Sequence, residues 1–203
     1  MINDGICAMK PLENLKKYRV LLASNSPRRR ELLAGLGVQF EVCALNDVDE
    51  SYPHDMEPEM ISQYISQKKG EAYKSLIADN ELVITSDTIV LLDGKVYGKP
   101  ADEAEACRML AELSDRTHRV ITGVTINTAQ RMSSFHVTTD VTFAPLSADE
   151  IEYYVANFRP LDKAGAYGIQ EWIGSVGVRG INGSFYNVMG LPVQRLYEEL
   201  KSY

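Results

Sequence analysis

From Arg19 onward, apolar segments of strand length are interleaved with segments of helical period, yet never as a strict strand–helix–strand repeat, and that irregularity most limits the fold. RVLLA (19–23), VQFEVCAL (38–45) and ELVITSD (81–87) read as strands, and TIVLLDGKVYGKP (88–100) as a hairpin turning on Asp93-Gly94. HRVITGVTINT (118–128) and SSFHVTTDVTFAPL (133–146) alternate as antiparallel strands. Helices are predicted from Ser26 to Gly37, over 59–78, from Asp102 to Leu113, from Ser147 to Phe158, and from about Pro192. The pattern predicts a mixed α/β sheet with flanking helices, arranged as two lobes around a cleft. Residues 1–17 are expected to be an N-terminal arm and 18–203 a single domain.

The chain has 203 residues, 45% of them apolar, enough to bury a substantial core. A formal charge of −7 argues against a general nucleic-acid binder, so any anion-binding surface must be local. Cys7, Cys43 and Cys107 are far apart, as are His54, His118 and His136, which leaves no zinc spacing and no disulfide framework. No run approaches about 18 apolar residues and the N-terminus lacks a signal-peptide pattern, so no membrane partner and a cytoplasmic location are expected.

Against this acidic background, ASNSPRRRE (23–31) stands out. Ser26 suits an N-cap and Pro27 the first helical position, but Arg28, Arg29 and Arg30 then fall in the first turn, where the helix dipole disfavours cations. An anion bound at the Ser24–Ser26 loop would offset this; a solvated basic turn is the equal alternative. Asp87 in SDTIV is expected at the end of an apolar strand, as a base, a metal ligand or merely a turn residue. GKVYGKP fails the phosphate-loop pattern, with three residues between its glycines and Pro100 after Lys99, although Lys99 can still meet a phosphate as a point charge. Glu50 in DVDES is a candidate Mg²⁺ ligand or a surface charge, while Lys68 and Lys69 read as exposed helix lysines. Gln170, after the glycines of DKAGAYGIQ, offers an amide able to read a base edge, unless the stretch is simply a Gly-rich turn leading into a strand.

Taken in order, ASNSPRR, DVDES, SDTIV, GKP, THRVITGV, PLDKAGAYGIQ and INGSFYNVMGLP closely resemble the Maf family of nucleotide pyrophosphatases, from about Arg19 to Leu200. The resemblance implies an inosine-triphosphatase-like α/β fold with a deep cleft, a homodimer, and hydrolysis of nucleoside triphosphates to monophosphate and diphosphate with Mg²⁺ or Mn²⁺. Thr88 and the Gln170 of YGIQ are similar to the dTTP/UTP branch. Position by position, it implies Asp87 as proton acceptor and Arg28, Thr88 and Gln170 as specificity residues. Ser24, Arg29, Lys68 and Lys99 match substrate-binding positions, and Glu50, with Asp87, an acidic metal-linked one. Asn25, Arg30 and Tyr97 depart from the family pattern without touching this chemistry.

The implied reaction is attack of water on the α-phosphorus with diphosphate leaving. The sequence leaves Asp87 open between orienting that water and binding the metal. Two other roles stand beside it: a nucleotide-binding regulator of division or septum formation without turnover, and a house-cleaning enzyme for modified pyrimidine nucleotides.

Overall fold

The computed structural model describes residues 11–45 and 48–203. Cys7, most of the expected arm, and Asn46 and Asp47 at the start of the acidic loop lie outside them. The strands are β1 (Arg19–Leu22), β2 (Glu41–Val42), β3 (Glu81–Leu92), β4 (Lys95–Tyr97), β5 (Thr117–Thr128), β6 (Met132–Phe143) and β7 (Val178–Asn182). The α-helices are α1 (Pro27–Gly35), α2 (Ile61–Tyr73), α3 (Glu103–Leu113), α4 (Ala148–Phe158), α5 (Trp172–Gly177), α6 (Phe185–Val188) and α7 (Val193–Leu200). The strands form one mixed sheet in the order β2-β1-β3-β5-β6-β7, with β4 also on β3. The mixed α/β architecture is thus as the sequence predicts. Short 3₁₀ turns cover Glu13–Lys17, where Leu15 is buried, and Ala164–Ala166.

Local signals set many element ends. Ser26 caps α1, accepting from the Arg29 amide, and Pro27 opens it. Asp102 caps α3, and Ser147 and Glu150 form a reciprocal capping box on α4. Asp93 and Gly94 both have positive φ, 50° and 80°, as a tight hairpin between β3 and β4 requires. Three expectations differ. The strand at 38–45 shrinks to Glu41–Val42, α2 stops at Tyr73 rather than continuing to Ala78, and α5, β7 and α6 occupy the Gly-rich tail.

A fourth difference bears directly on function. Asp87 does not end a strand: ELVITSD and TIVLL fuse into the single twelve-residue β3, because β5 pairs with it continuously from Leu82 to Leu91. The opposite edge of β3 is shared. Parallel β1 pairs with residues 81–84 and antiparallel β4 with 90–92, leaving the edge between them without a strand neighbour. Asp87 and Thr88 lie in that gap.

Alternation along β3 divides the core. Leu82 and Ile84 pack with α1 and α7 residues such as Leu33 and Leu196; Val90 and Leu92 pack with Leu110 of α3 and Tyr154 of α4. Ser86 and Thr88, on the same face, separate the two clusters. The other face carries Val83, Thr85, Asp87, Ile89 and Leu91 beneath α2. There α2 is seated by polar groups: Thr85 donates to the Ser66 carbonyl at 2.7 Å, Asn127 donates to the Gly70 carbonyl at 2.9 Å, and the Ser66 and Thr125 hydroxyls share a bond at 2.9 Å. Gly123, paired with Asp87, has to be glycine for this approach, since a Cβ would overlap the Ser62 backbone.

Candidate active site

The uncovered edge of β3 opens into a cavity of about 490 Å³. Among its walls are Ser24, Arg28, Arg29, Glu50, Lys69, Asp87, Thr88, Lys99 and Gln170, drawn from six separate stretches of the chain. The structure therefore brings together every sequence-predicted site residue except Lys68. Lys68 turns instead to the acidic loop, donating to Asp49 at 2.8 Å and to the Ser51 carbonyl at 2.9 Å. Its neighbour Lys69 takes the place in the cavity. On a helix the two differ by about 100° in direction, and Lys69 shares the sheet-facing side with Ser66 and Tyr73, three and four residues away. The buried Tyr73, following Lys69 at helical spacing, is the signal in the sequence; Lys68 is followed at the same spacing by exposed Ala72.

Asp87 and Glu50 converge on this one ammonium. Lys69 Nζ lies 2.7 Å from Asp87 Oδ1 and 2.9 Å from Glu50 Oε1. Burial alone pushes the Glu50 carboxyl up; the hydrogen bond and charge of Lys69, with Lys99 and Arg29 beyond it, more than reverse this and hold it below the usual carboxylate range. Among the described residues no group of three or more His, Cys, Asp or Glu side chains could enclose a metal. Two hard carboxylate oxygens around one cation nevertheless fit a divalent ion whose remaining positions are filled by water and phosphate oxygens.

The arginines at the start of α1 are not left to repel one another. Arg29 reaches the free edge of β3: Nη1 donates to the Ser86 carbonyl at 2.8 Å, Nη2 to Thr88 Oγ1 at 3.1 Å, and Nε to the Gly190 carbonyl at 2.9 Å. It thereby takes up hydrogen bonds that a missing strand leaves open. Burial and then Arg28 push its pKa down, and Asp87 opposes them, but a guanidinium stays charged. Arg28 donates to Asp162 Oδ2 at 2.9 Å. Ser24 is buried, its hydroxyl accepting from the Ser26 amide at 3.2 Å. Thr88 bonds Thr122 at 3.0 Å in addition to Arg29. Lys99 and Gln170 are exposed at the cavity, and neither has a hydrogen-bond or ion-pair partner among the described residues.

The sequence reading missed Lys69 and also Asp162, Lys163 and Tyr167, which line the cavity from the segment before Gln170. Behind Tyr167, buried His118 meets its hydroxyl at 2.8 Å, and burial pushes the His118 imidazole down to about 4.

Known proteins of similar sequence and fold show which family the chain belongs to. A dTTP/UTP pyrophosphatase of Phocaeicola vulgatus is 57% identical over 190 residues, covering 94% of this chain and 98% of its own. A dTTP/UTP pyrophosphatase of Parabacteroides distasonis is 58% identical over 192 residues, covering 95% and 100%. The structure of the Staphylococcus aureus Ham1 protein superposes with a TM-score of 0.51 at 18% identity, covering 91% of this chain and 98% of that one, which speaks to the fold alone. The description "Maf-like protein" matches residues 19–203, and with relatives of this identity and coverage the chain belongs to the Maf family.

Proposed function

We propose that this chain is a nucleoside triphosphate pyrophosphatase that hydrolyses dTTP and UTP to the monophosphate and diphosphate. The observation that carries the reading is one cavity with charged groups gathered around Asp87 and an uncommitted amide, Gln170, on its wall. A triphosphate is a polyanion attached to a base, and the cavity offers chemistry for each part. The names of the relatives support the same substrates.

In this mechanism Arg28, Arg29, Lys69 and Lys99 receive the phosphates, with Ser24 and the first amides of α1. Asp87 orients the attacking water and holds its proton at a carboxylate oxygen while bond breaking at the α-phosphorus releases diphosphate. Lys69, bonded to Asp87 Oδ1, fixes the direction of that carboxylate. Glu50 and Asp87 are the groups that would hold a divalent ion, which when bound neutralises charge on the phosphate oxygens. Gln170 faces the base: uracil and thymine present two carbonyls flanking an N–H, and an amide can donate to a carbonyl and accept from that N–H. Thr88, bonded to Arg29, is the third specificity position beside Arg28 and Gln170. The two core clusters then form the two lobes, with the cavity as their cleft. The domain boundary near residue 18, the homodimer and the cytoplasmic location belong to this proposal; among the described residues no helix is long and apolar enough to cross a membrane.

The test is diphosphate release measured on dTTP, UTP, CTP, GTP and ATP with Mg²⁺ and with excess EDTA. Release from dTTP and UTP that exceeds the others and vanishes with EDTA is the expected result. Binding of nucleotide without release would favour the regulator instead, and full activity in EDTA would remove the metal.

A further inference from the structure

Lys163 lines the cavity, its side chain is only 8% exposed, and the reaction proposed above makes no use of it. An ammonium this enclosed persists only where it is paired and hydrogen bonded. It has two partners, Asp162 Oδ1 at 2.7 Å and Glu171 Oε1 at 3.2 Å. Each carboxylate divides its oxygens between Lys163 and another group. Asp162 Oδ2 accepts from Arg28 at 2.9 Å, and Glu171 Oε2 accepts from the Tyr154 hydroxyl.

The second branch leads to the backbone around Gln170. The Tyr154 oxygen accepts from the Gly168 amide at 3.0 Å, and the Glu171 amide donates to the Gly168 carbonyl at 3.0 Å, closing a turn with Ile169 and Gln170 at its corners. A Cβ on Gly168 would come within 2.8 Å of the Glu171 carboxyl carbon, so the carboxylate lies directly against the turn. Burial, reinforced by Glu171, pushes the Tyr154 phenol up, which keeps its proton in place as the donor.

We infer that Lys163 is a positioning residue that couples the two specificity positions, fixing Arg28 through Asp162 and the Gln170 turn through Glu171. Arg28 and Gln170 come from opposite ends of the domain, and Lys163 is the cation between the two carboxylates that hold them. The inference rests on the reading of the cavity as a pyrimidine nucleotide site. Its consequence is that Lys163 sets discrimination between bases although its ammonium is committed to protein carboxylates.

The experiment measures kcat/KM for UTP and for GTP in the wild type, Lys163→Met, Glu171→Gln and the double variant, with the Tm of each. The UTP to GTP ratio is expected to fall about tenfold in Lys163→Met and about threefold in Glu171→Gln. The double variant should fall no further than Lys163→Met, because both changes cut one chain of contacts. Equal losses for the two nucleotides, with the ratio unchanged, overturn the inference while leaving the proposed function intact. So do additive losses in the double variant. A wild type without preference for UTP overturns the reading of the cavity and the inference with it. If Lys163→Met does not fold, Glu171→Gln decides, since its amide oxygen still accepts from Tyr154.

Discussion

Arg28, Arg29 and Lys69 of the cavity wall differ from Gln170, which also lines it, in how the chain itself engages them. Each of the three cations is already held by protein oxygens: Lys69 by Asp87 and Glu50, Arg29 by two carbonyls and Thr88, and Arg28 by Asp162. Gln170 has no such partner among the described residues, yet the backbone on both sides of it is tied down through Gly168 and Glu171. The difference teaches two ways to prepare a site. Buried cations without counter-charges are costly, so a phosphate wall is assembled with carboxylates and carbonyls and works by exchanging partners. A base reader needs its amide uncommitted, and its selectivity comes from ordering the backbone beforehand.

The comparison can be broken first at Asp87. Asp87→Asn keeps the shape and removes the charge, and turnover should fall about 10³-fold while nucleotide binding, read by calorimetry, persists. Turnover near wild type would take the carboxylate out of the chemistry.

The next largest effect separates two adjacent lysines. Lys69→Met should reduce kcat/KM about 10²-fold by releasing Asp87 and Glu50 from their shared cation, whereas Lys68→Met should change it by less than about twofold. Equal effects, measured side by side, would mean that the phosphate wall extends to the Asp49 loop.

Gln170→Glu sharpens the other side. It removes the amide donor and adds a negative charge near the phosphates, so kcat/KM should fall about tenfold more for UTP than for GTP. A uniform loss would reduce Gln170 to a brace.

The smallest effect is thermodynamic and lies behind Tyr167, next to the Gln170 turn. Neutral His118 is buried with Nδ1 unpartnered, and its pKa falls from about 6.5 in the unfolded chain to about 4. As pH drops below 6.5 the unfolded chain takes up the proton first, so stability fully present above that value is lost progressively towards pH 4. Between pH 6.5 and 5.5 the wild type should lose about 1 kcal/mol more than His118→Phe in denaturant titrations. Equal losses would show that His118 is not buried neutral.

Much of the local structure was legible in the sequence because its causes are local. The Ser26 cap, Pro27 at the first turn, the helix starts at Asp102 and Ser147 and the Asp93-Gly94 hairpin each depend on groups within four residues. Most of the site was legible too, through motif order. The continuity of β3 through Asp87, by contrast, was misread, because nothing between Asp87 and Thr88 signals whether the strand stops, and the answer lies in β5 about forty residues on. The small elements α5, β7 and α6 carry no periodicity long enough to register.

The residues available to the cavity were therefore determined by the sequence, and so was the opposition between the arginines of α1 and its dipole. Only the tertiary structure decided how that opposition is resolved, which lysine faces Asp87, and that Lys163 stands between Asp162 and Glu171. The physical reason is range. Caps, turns and dipoles act over a few bonds, whereas the direction of a side chain on a helix and the length of an uncovered strand edge are set by non-local pairing. Here that pairing is β1 ending at Leu22, β4 ending at Tyr97 opposite Val90, and α2 lying close enough over Gly123 to bring Lys69 to the gap between them.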